Sequence, residues 1–147
     1  MVLLQNKILL EQAIIGREIE AAVLGNDSPE VAATPGEIIP NHEFYSYDAK
    51  YVDPNGASLK IPAELEADVA NRIRDLAVES FRIVEGLGMA RVDFFLTKDN
   101  QIYINEINTL PGFTSISMYP KLWEASGLSY SELLHQLVQL GLQRAAV

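Results

Sequence analysis

The sequence contains no cysteine among its 147 residues. Disulfides and thiolate metal sites are therefore excluded, so any metal ligand must be an oxygen or a histidine nitrogen. No apolar run reaches the roughly 20 residues that a membrane helix needs, and residues 1–10 lack the basic and long apolar segments of a signal peptide. We expect a cytoplasmic protein without membrane association.

Positive charge is also scarce, since 11 Lys and Arg residues stand against 20 Asp and Glu residues, for a net charge of -9. No stretch gathers basic residues into the stripe that a nucleic-acid backbone would require. We therefore expect no nucleic-acid partner. A glycine-rich loop leading into a helix, which would cradle phosphates, is missing as well.

The hydrophobic content of 48% suits one compact domain, and its pattern predicts an α+β fold. Residues 8–25 and 36–39 have the composition of strands. The stretch 40–57, which follows the second of these, has neither the period of a helix nor that of a strand. Such a long loop is either a functional lid or plain disorder. Apolar residues at helical spacing after Pro62 predict a helix that ends near Gly86.

Two further strands follow, at residues 89–97 and 101–107, and the short polar stretch between them predicts an antiparallel hairpin. Ser129 and Glu132 have the spacing of a capping box, which predicts that a last helix begins there. The order is β-rich segment, helix, hairpin, helix. This order predicts a mainly antiparallel sheet with packed helices.

The hairpin carries polar residues where a plain core element would be apolar. If its turn is centred on residues 99–100, Asp93 faces Glu106 and Arg91 faces Asn108, all on one face. Opposed carboxylates repel by up to about 1 kcal/mol, so a cation is expected between them. Two carboxylates and one amide oxygen suit Mg²⁺ or Mn²⁺.

A solvent-facing polar strand is the alternative explanation of this face. The run NEINTLPGFT that begins at Asn105 favours a site, because Pro111 and Gly112 follow the candidate ligands directly. A glycine there lets a backbone N–H approach a reacting oxygen closely.

Three separated motifs resemble D-alanine–D-alanine ligases, which are ATP-grasp enzymes of cell-wall peptidoglycan synthesis. They are GREIEAAVLGND from Gly16, EFYSYDAKY from Glu43, and GMARVDFFLT from Gly88 with IYINEINTLPGFTSISMYPKLWEASGLSY from Ile102. The resemblance covers nearly the whole chain and implies that residues 1–147 form the carboxy-terminal part of an ATP-grasp domain. It also implies ATP-dependent joining of two D-alanines through an acyl phosphate.

The resemblance assigns a role to individual positions of this sequence. Two Mg²⁺ or Mn²⁺ ions would bind Asp93, Glu106 and Asn108, and Arg91 with the Gly112 N–H would stabilise the oxyanion. The residues implied for ATP are Glu11, Ile14, Glu18, Phe44, Lys50 and Phe95, of which Lys50 would contact the terminal phosphate. Those implied for the second D-alanine are Tyr51, Ser117 and Met118, the last through its backbone.

The family's amino-terminal domain and the first half of its ATP-grasp region have no counterpart in this sequence. The chain therefore resembles a carboxy-terminal fragment, and full-length members are typically homodimers. One hypothesis is the catalytic end of a ligase. The other is a split subunit or fragment that binds metal-nucleotide only with a partner chain, without turnover of its own.

Overall fold

The computed structural model describes residues 10–40, 57–114 and 116–145. None of the helices within these ranges is long and apolar enough to cross a bilayer. The strands are β1 (Arg17–Gly25), β2 (Glu30–Val31), β3 (Gly36–Pro40), β4 (Ala57–Lys60), β5 (Gly88–Leu96) and β6 (Ile102–Asn108). The helices are α1 (Ala67–Ile83), α2 (Met118–Ala125) and α3 (Tyr130–Ala145).

One six-stranded sheet contains every strand of the described ranges, in the order β4-β3-β1-β5-β6. The short β2 pairs with β1 next to β3, and all pairings are antiparallel. The prediction of a mainly antiparallel α+β fold is confirmed.

Helix α1 covers one face of the sheet. Its buried residues Ile73, Ala77 and Phe81 are spaced by one helical turn, so they form a single apolar stripe. This stripe packs on the alternate residues of β1 and β5 that point to the same side. The sheet residues of this core are Ile19, Ala21, Val23, Ala90, Val92, Phe94 and Leu96.

Helices α2 and α3 cover only part of the opposite face. Tyr119 is fully buried there, and its hydroxyl donates a 2.9 Å hydrogen bond to the carbonyl of Val23. A Cβ at Gly36 would lie 2.5 Å from the Met118 sulfur, so glycine at this position leaves room for the Met118 side chain as it is placed. The sequence analysis assigned no element to residues 118–125. Their apolar residues cover only two turns, too few for a clear period.

The predicted strand at residues 8–25 is wrong in its first part. Within the described residues, β1 begins at Arg17, and residues 10–15 have no regular structure. The reason is the length of the neighbouring strand: Arg17 pairs with Leu96, the last residue of β5. Leu10 and Ile15 pair with none of the described strands and are almost fully exposed. The predicted loop at 40–57 lies, apart from its end residues, outside the described residues.

The predicted capping box at the start of α3 is confirmed. The Ser129 hydroxyl lies 2.6 Å from Glu132 Oε2, which also accepts a hydrogen bond from the Ser129 N–H at 3.0 Å. In return, the Glu132 N–H donates to Ser129 Oγ at 3.3 Å. These bonds satisfy N–H groups that the first turn of a helix leaves without partners.

A salt bridge joins β1 to β3 on the α1 face. Arg17 Nε and Nη2 donate to the two carboxylate oxygens of Glu37 at 2.7 and 2.6 Å. The hydrogen bonds from Arg17 lower the pKa of Glu37 and outweigh the opposing effect of burial. The ion pair therefore stabilises the fold only while Glu37 is ionised.

We predict that the stabilisation from Glu37 is lost in acid. A carboxylate with a lowered folded-state pKa contributes fully above its unfolded pKa, here near 4.5, and loses this contribution as pH falls through the folded value. Urea unfolding of the wild type and of Glu37→Gln should therefore differ most above pH ~5 and converge as pH falls through the lowered pKa of Glu37. A constant difference in the free energy of unfolding across this range would contradict the prediction.

Candidate functional site

The β5–β6 hairpin brings the predicted polar residues together. Asp93 pairs with Glu106, and Arg91 pairs with Asn108, as predicted. The turn differs from the prediction: the Thr97 N–H donates to the Gln101 carbonyl, the Asn100 N–H donates to the Thr97 carbonyl, and Asn100 has a φ of 60°. The turn is therefore centred on residue 99, not between residues 99 and 100.

A β-bulge compensates for this shift. Phe94 pairs with Ile104, whereas Asp93 pairs with Glu106, so Asn105 is the extra residue in β6. Without the bulge, the observed turn would place Asn105 opposite Asp93 and move Glu106 to the other face. The predicted pairing is correct at the site because two deviations cancel.

A third carboxylate, Glu20, lies at this site and was not predicted from the sequence. Glu20 in β1 pairs with Asp93 in β5, so Glu20, Asp93 and Glu106 form a row across three adjacent strands. The row runs from Glu20, which is 3% exposed, to Glu106, which is exposed on the edge strand of the described sheet. The pairing of β1 with β5 joins distant parts of the chain, and local sequence patterns give no signal for it.

Arg91 lies among these carboxylates and is itself largely buried. Its Nε and Nη2 donate to the two oxygens of Asp93, both at 2.7 Å. Its Nε also lies 3.2 Å from Glu20 Oε2. A buried charge is tolerated only when it is paired, and Arg91 is therefore the cation that permits Glu20 and Asp93 to be buried.

The pKa values of the site reflect this crowding. Burial raises the pKa of Asp93, and the nearby Glu106 raises it further, although Arg91 opposes both. Burial alone would lower the pKa of Arg91, but its hydrogen bonds to Asp93 and the surrounding negative charges raise it above its ordinary value. Arg91 thus remains charged, and among the described residues the carboxylates of the row outnumber this one cation.

A cavity of ≈ 80 Å³ adjoins the carboxylate row. It is lined by Glu18, Ile19, Glu20, Ile38, Asp93, Phe94, Phe95, Asn105 and Glu106. Glu18 and Phe95, both expected at the nucleotide, pair directly across β1 and β5 beside the row. This volume has room for an ion with some water, and a nucleotide would need the open surface around it.

Two other residues expected at the nucleotide, Glu11 and Ile14, do not line this cavity. Glu11 is exposed and Ile14 is half-buried, both in the irregular stretch before β1. Phe44, Lys50 and Tyr51 lie outside the described residues. Their assigned roles remain predictions.

The segment after β6 brings Gly112 close to Ser117. A Cβ at Gly112 would lie 2.9 Å from Ser117 Oγ, which accepts a 2.9 Å hydrogen bond from the Thr114 N–H. Met118 begins α2, and its side chain is buried in the core. The Met118 side chain is therefore not available to a ligand, and the role expected for its backbone remains a prediction.

The donor set fits a hard divalent cation. Asp93 and Glu106 are neighbours on one face, and Asn108 supplies an amide oxygen that accepts a 3.2 Å hydrogen bond from the Leu110 N–H. Carboxylate oxygens have lone pairs beyond those that Arg91 occupies. Within the described ranges no group of three Asp, Glu, His or Cys residues is arranged to hold a metal ion by itself. An ion would therefore need oxygens from water or phosphates as well, as Mg²⁺ commonly does.

A sequence profile of the family described as "D-ala D-ala ligase C-terminus" matches residues 2–139. The chain belongs to this family. It is 60% identical over 139 residues to the D-alanine–D-alanine ligase of Oceanobacillus iheyensis and 57% identical over 139 residues to D-alanine–D-alanine ligase A of Salmonella typhimurium. Each match covers 95% of this chain and 38% of the relative, so the chain spans less than half of these relatives' length.

Solved structures of relatives share the fold. The D-alanine–D-alanine ligase of Coxiella burnetii matches with a TM-score of 0.78 and 47% identity, over 91% of this chain and 34% of that one. The VanG D-Ala:D-Ser ligase of Enterococcus faecalis matches with a TM-score of 0.76 and 37% identity, over 88% and 37% of the two chains. The expected fold, the carboxy-terminal subdomain of an ATP-grasp ligase, is confirmed.

We predict that Arg91→Met destabilises the fold by about 3–5 kcal/mol, because it leaves buried carboxylates without their cation. Methionine keeps much of the side-chain volume, so the loss reports on charge rather than on a cavity. Urea unfolding at neutral pH measures it. The double variant Arg91→Met, Glu20→Gln should regain part of the stability, and a loss below about 1 kcal/mol in the single variant would refute the pairing argument.

Proposed function

We propose that this chain is the carboxy-terminal, metal- and nucleotide-binding part of a D-alanine–D-alanine ligase, which joins two D-alanines at the expense of ATP for peptidoglycan synthesis. The observation that carries the proposal is the row of Glu20, Asp93 and Glu106 beside a largely buried Arg91. The reaction that this arrangement would catalyse is inferred from the family to which the chain belongs.

The chemistry follows from the charges that the site presents. Mg²⁺ or Mn²⁺ held by Asp93, Glu106 and Asn108 would neutralise the phosphate charge of ATP. Glu18 would accept hydrogen bonds from the ribose hydroxyls, since an ionised carboxylate is purely an acceptor. Phe95, which pairs with Glu18, would pack near the adenine.

The remaining residues would act on the reacting D-alanines. The amine of the second D-alanine attacks the acyl phosphate of the first, and negative charge develops on its carbonyl oxygen. Arg91 and the Gly112 N–H would stabilise that charge. Ser117 and the Met118 backbone, at the N-terminus of α2, would hold the carboxylate of the second D-alanine, because a helix N-terminus favours an anion.

A second candidate is a non-catalytic fragment or split subunit that binds metal-nucleotide only with a partner chain. The chain spans 38% of the length of the relatives it matches, so dipeptide formation has to be tested separately from metal and nucleotide binding. The two candidates predict the same metal site but differ in turnover.

We predict that Mg²⁺ with an ATP analogue raises the thermal midpoint of the chain. Ligand at about 100 times its Kd stabilises the native state by about 2.7 kcal/mol. Glu106→Gln should remove most of the shift, because it replaces a charged metal ligand with a neutral one. The matched control is Glu79→Gln, an exposed glutamate of α1, and it should keep the full shift. Equal shifts in all three proteins would exclude Glu106 from the metal site.

We also predict that the isolated chain releases no measurable phosphate with ATP and D-alanine, whereas joining it to the amino-terminal portion of Salmonella typhimurium D-alanine–D-alanine ligase A gives D-alanine-dependent release. Loss of one well-placed donor costs roughly a hundredfold in rate, and the isolated chain would lack several. Coupled phosphate detection and chromatography of the dipeptide measure this. A joined protein that folds and binds ATP but makes no dipeptide would favour the non-catalytic candidate.

A further inference from the structure

We propose that Glu20 is a positioning residue that holds the Arg91 guanidinium in place while Asp93 serves a metal ion. This inference rests on the proposed function, because it concerns residues of the same site. It assigns a task to a buried carboxylate of β1 that is neither in the set of metal ligands nor among the residues expected to touch the substrate.

Asp93 would make two kinds of interaction at once, hydrogen bonds with Arg91 and ligation of a metal ion. Its carboxylate accepts two hydrogen bonds of 2.7 Å from Arg91, and the same carboxylate faces Glu106 in the proposed metal site. A divalent cation draws electron density from its ligand oxygens and repels a nearby guanidinium. Metal binding would therefore weaken the hydrogen bonds between Arg91 and Asp93 at the stage of the reaction in which Arg91 would stabilise the oxyanion.

Glu20 is placed to compensate for this loss. Its Oε2 lies 3.2 Å from Arg91 Nε, on the side of the row away from Glu106. Its backbone pairs with β3 on one side and β5 on the other, and its side chain is 4% exposed. A side chain so enclosed has few conformations available, so it gives a fixed anionic contact.

The contacts to Asp93 and Glu20 leave part of the guanidinium for a ligand. They use Nε and Nη2, so the two N–H groups of Nη1 lie outside this clamp. Stabilisation of a developing oxyanion depends on donors that are held in position before the reaction. Two anchors from two strands fix the guanidinium plane better than one.

The first test requires no ligand. In the variant Asp93→Asn, the charge that a metal would neutralise is removed, and Glu20 alone should keep the Arg91 Nε–H protected from hydrogen exchange. ¹⁵N NMR measures this signal, which is assigned by its loss in Arg91→Lys. Adding Glu20→Gln should make the exchange roughly tenfold faster or more, because the close anionic contact beside the Arg91 Nε–H is lost.

The matched control is Glu37→Gln in the same Asp93→Asn background. Glu37 is also a buried glutamate in a salt bridge with an arginine, but it lies on the α1 face of the sheet. It should leave the Arg91 exchange rate unchanged. Equal exchange rates in the Glu20 and Glu37 variants would overturn the proposal.

The second test uses the chain joined to the amino-terminal portion of the Salmonella ligase. Glu20→Gln should lower kcat roughly 10- to 100-fold, the range typical of residues that orient a functional group, with KM for ATP changed less than about threefold. Glu20→Asp, which restores the charge, should recover part of kcat. Glu37→Gln should change neither constant appreciably.

The outcomes separate the two proposals. An unchanged kcat in Glu20→Gln, in a joined protein that requires Glu106, would overturn the positioning role and leave the proposed function intact. If the joined protein makes no dipeptide with Glu20 present, the proposed function fails, and the exchange experiment alone decides whether Glu20 holds Arg91. If the double variant Asp93→Asn, Glu20→Gln does not fold, the kinetic comparison decides.

Discussion

The pairing of Arg91 with buried carboxylates is the interaction on which the site depends. A sheet does not ordinarily place Glu20, Asp93 and Glu106 side by side, because like charges on adjacent strands repel and burial disfavours each charge. The guanidinium relieves both effects, since it bonds Asp93 in a bidentate manner and also contacts Glu20. Without it, the central strands could not carry acidic residues on this face.

The two faces of the sheet divide the tasks of stability and function. Helix α1 packs on one face and gives β1 and β5 a continuous apolar core. On the other face, α2 and α3 cover Ala22 and Leu24 and leave the carboxylate row beside them. The core under α1 thus fixes the strands that carry the carboxylate row. A site whose charges must keep their positions requires such support.

Local patterns predicted the elements whose partners are near in sequence. The hairpin, the capping box at Ser129 and the helix after Pro62 follow from short-range periodicity and turn residues. Glu20 escaped prediction because its neighbour is set by the pairing of β1 with β5, and no local rule specifies that pairing. The register near Asp93 was correct only because the bulge at Asn105 offset the shifted turn. Bulges of this kind depend on packing rather than on composition.

The charge balance of the site also constrains how a nucleotide could enter. Among the described residues, Glu20 and Asp93 contact the one guanidinium, and Glu106 and Glu18 lie beside them at the same cavity, so this described part of the surface carries more negative than positive charge. A bare triphosphate would be repelled by this surface, and repulsion is strong where the side chains are partly shielded from water. Burial raises the pKa of Asp93, although its hydrogen bonds with Arg91 oppose this effect. On the proposed function, the nucleotide would therefore bind together with its divalent cation, and the acidic row would select the metal complex over the free anion.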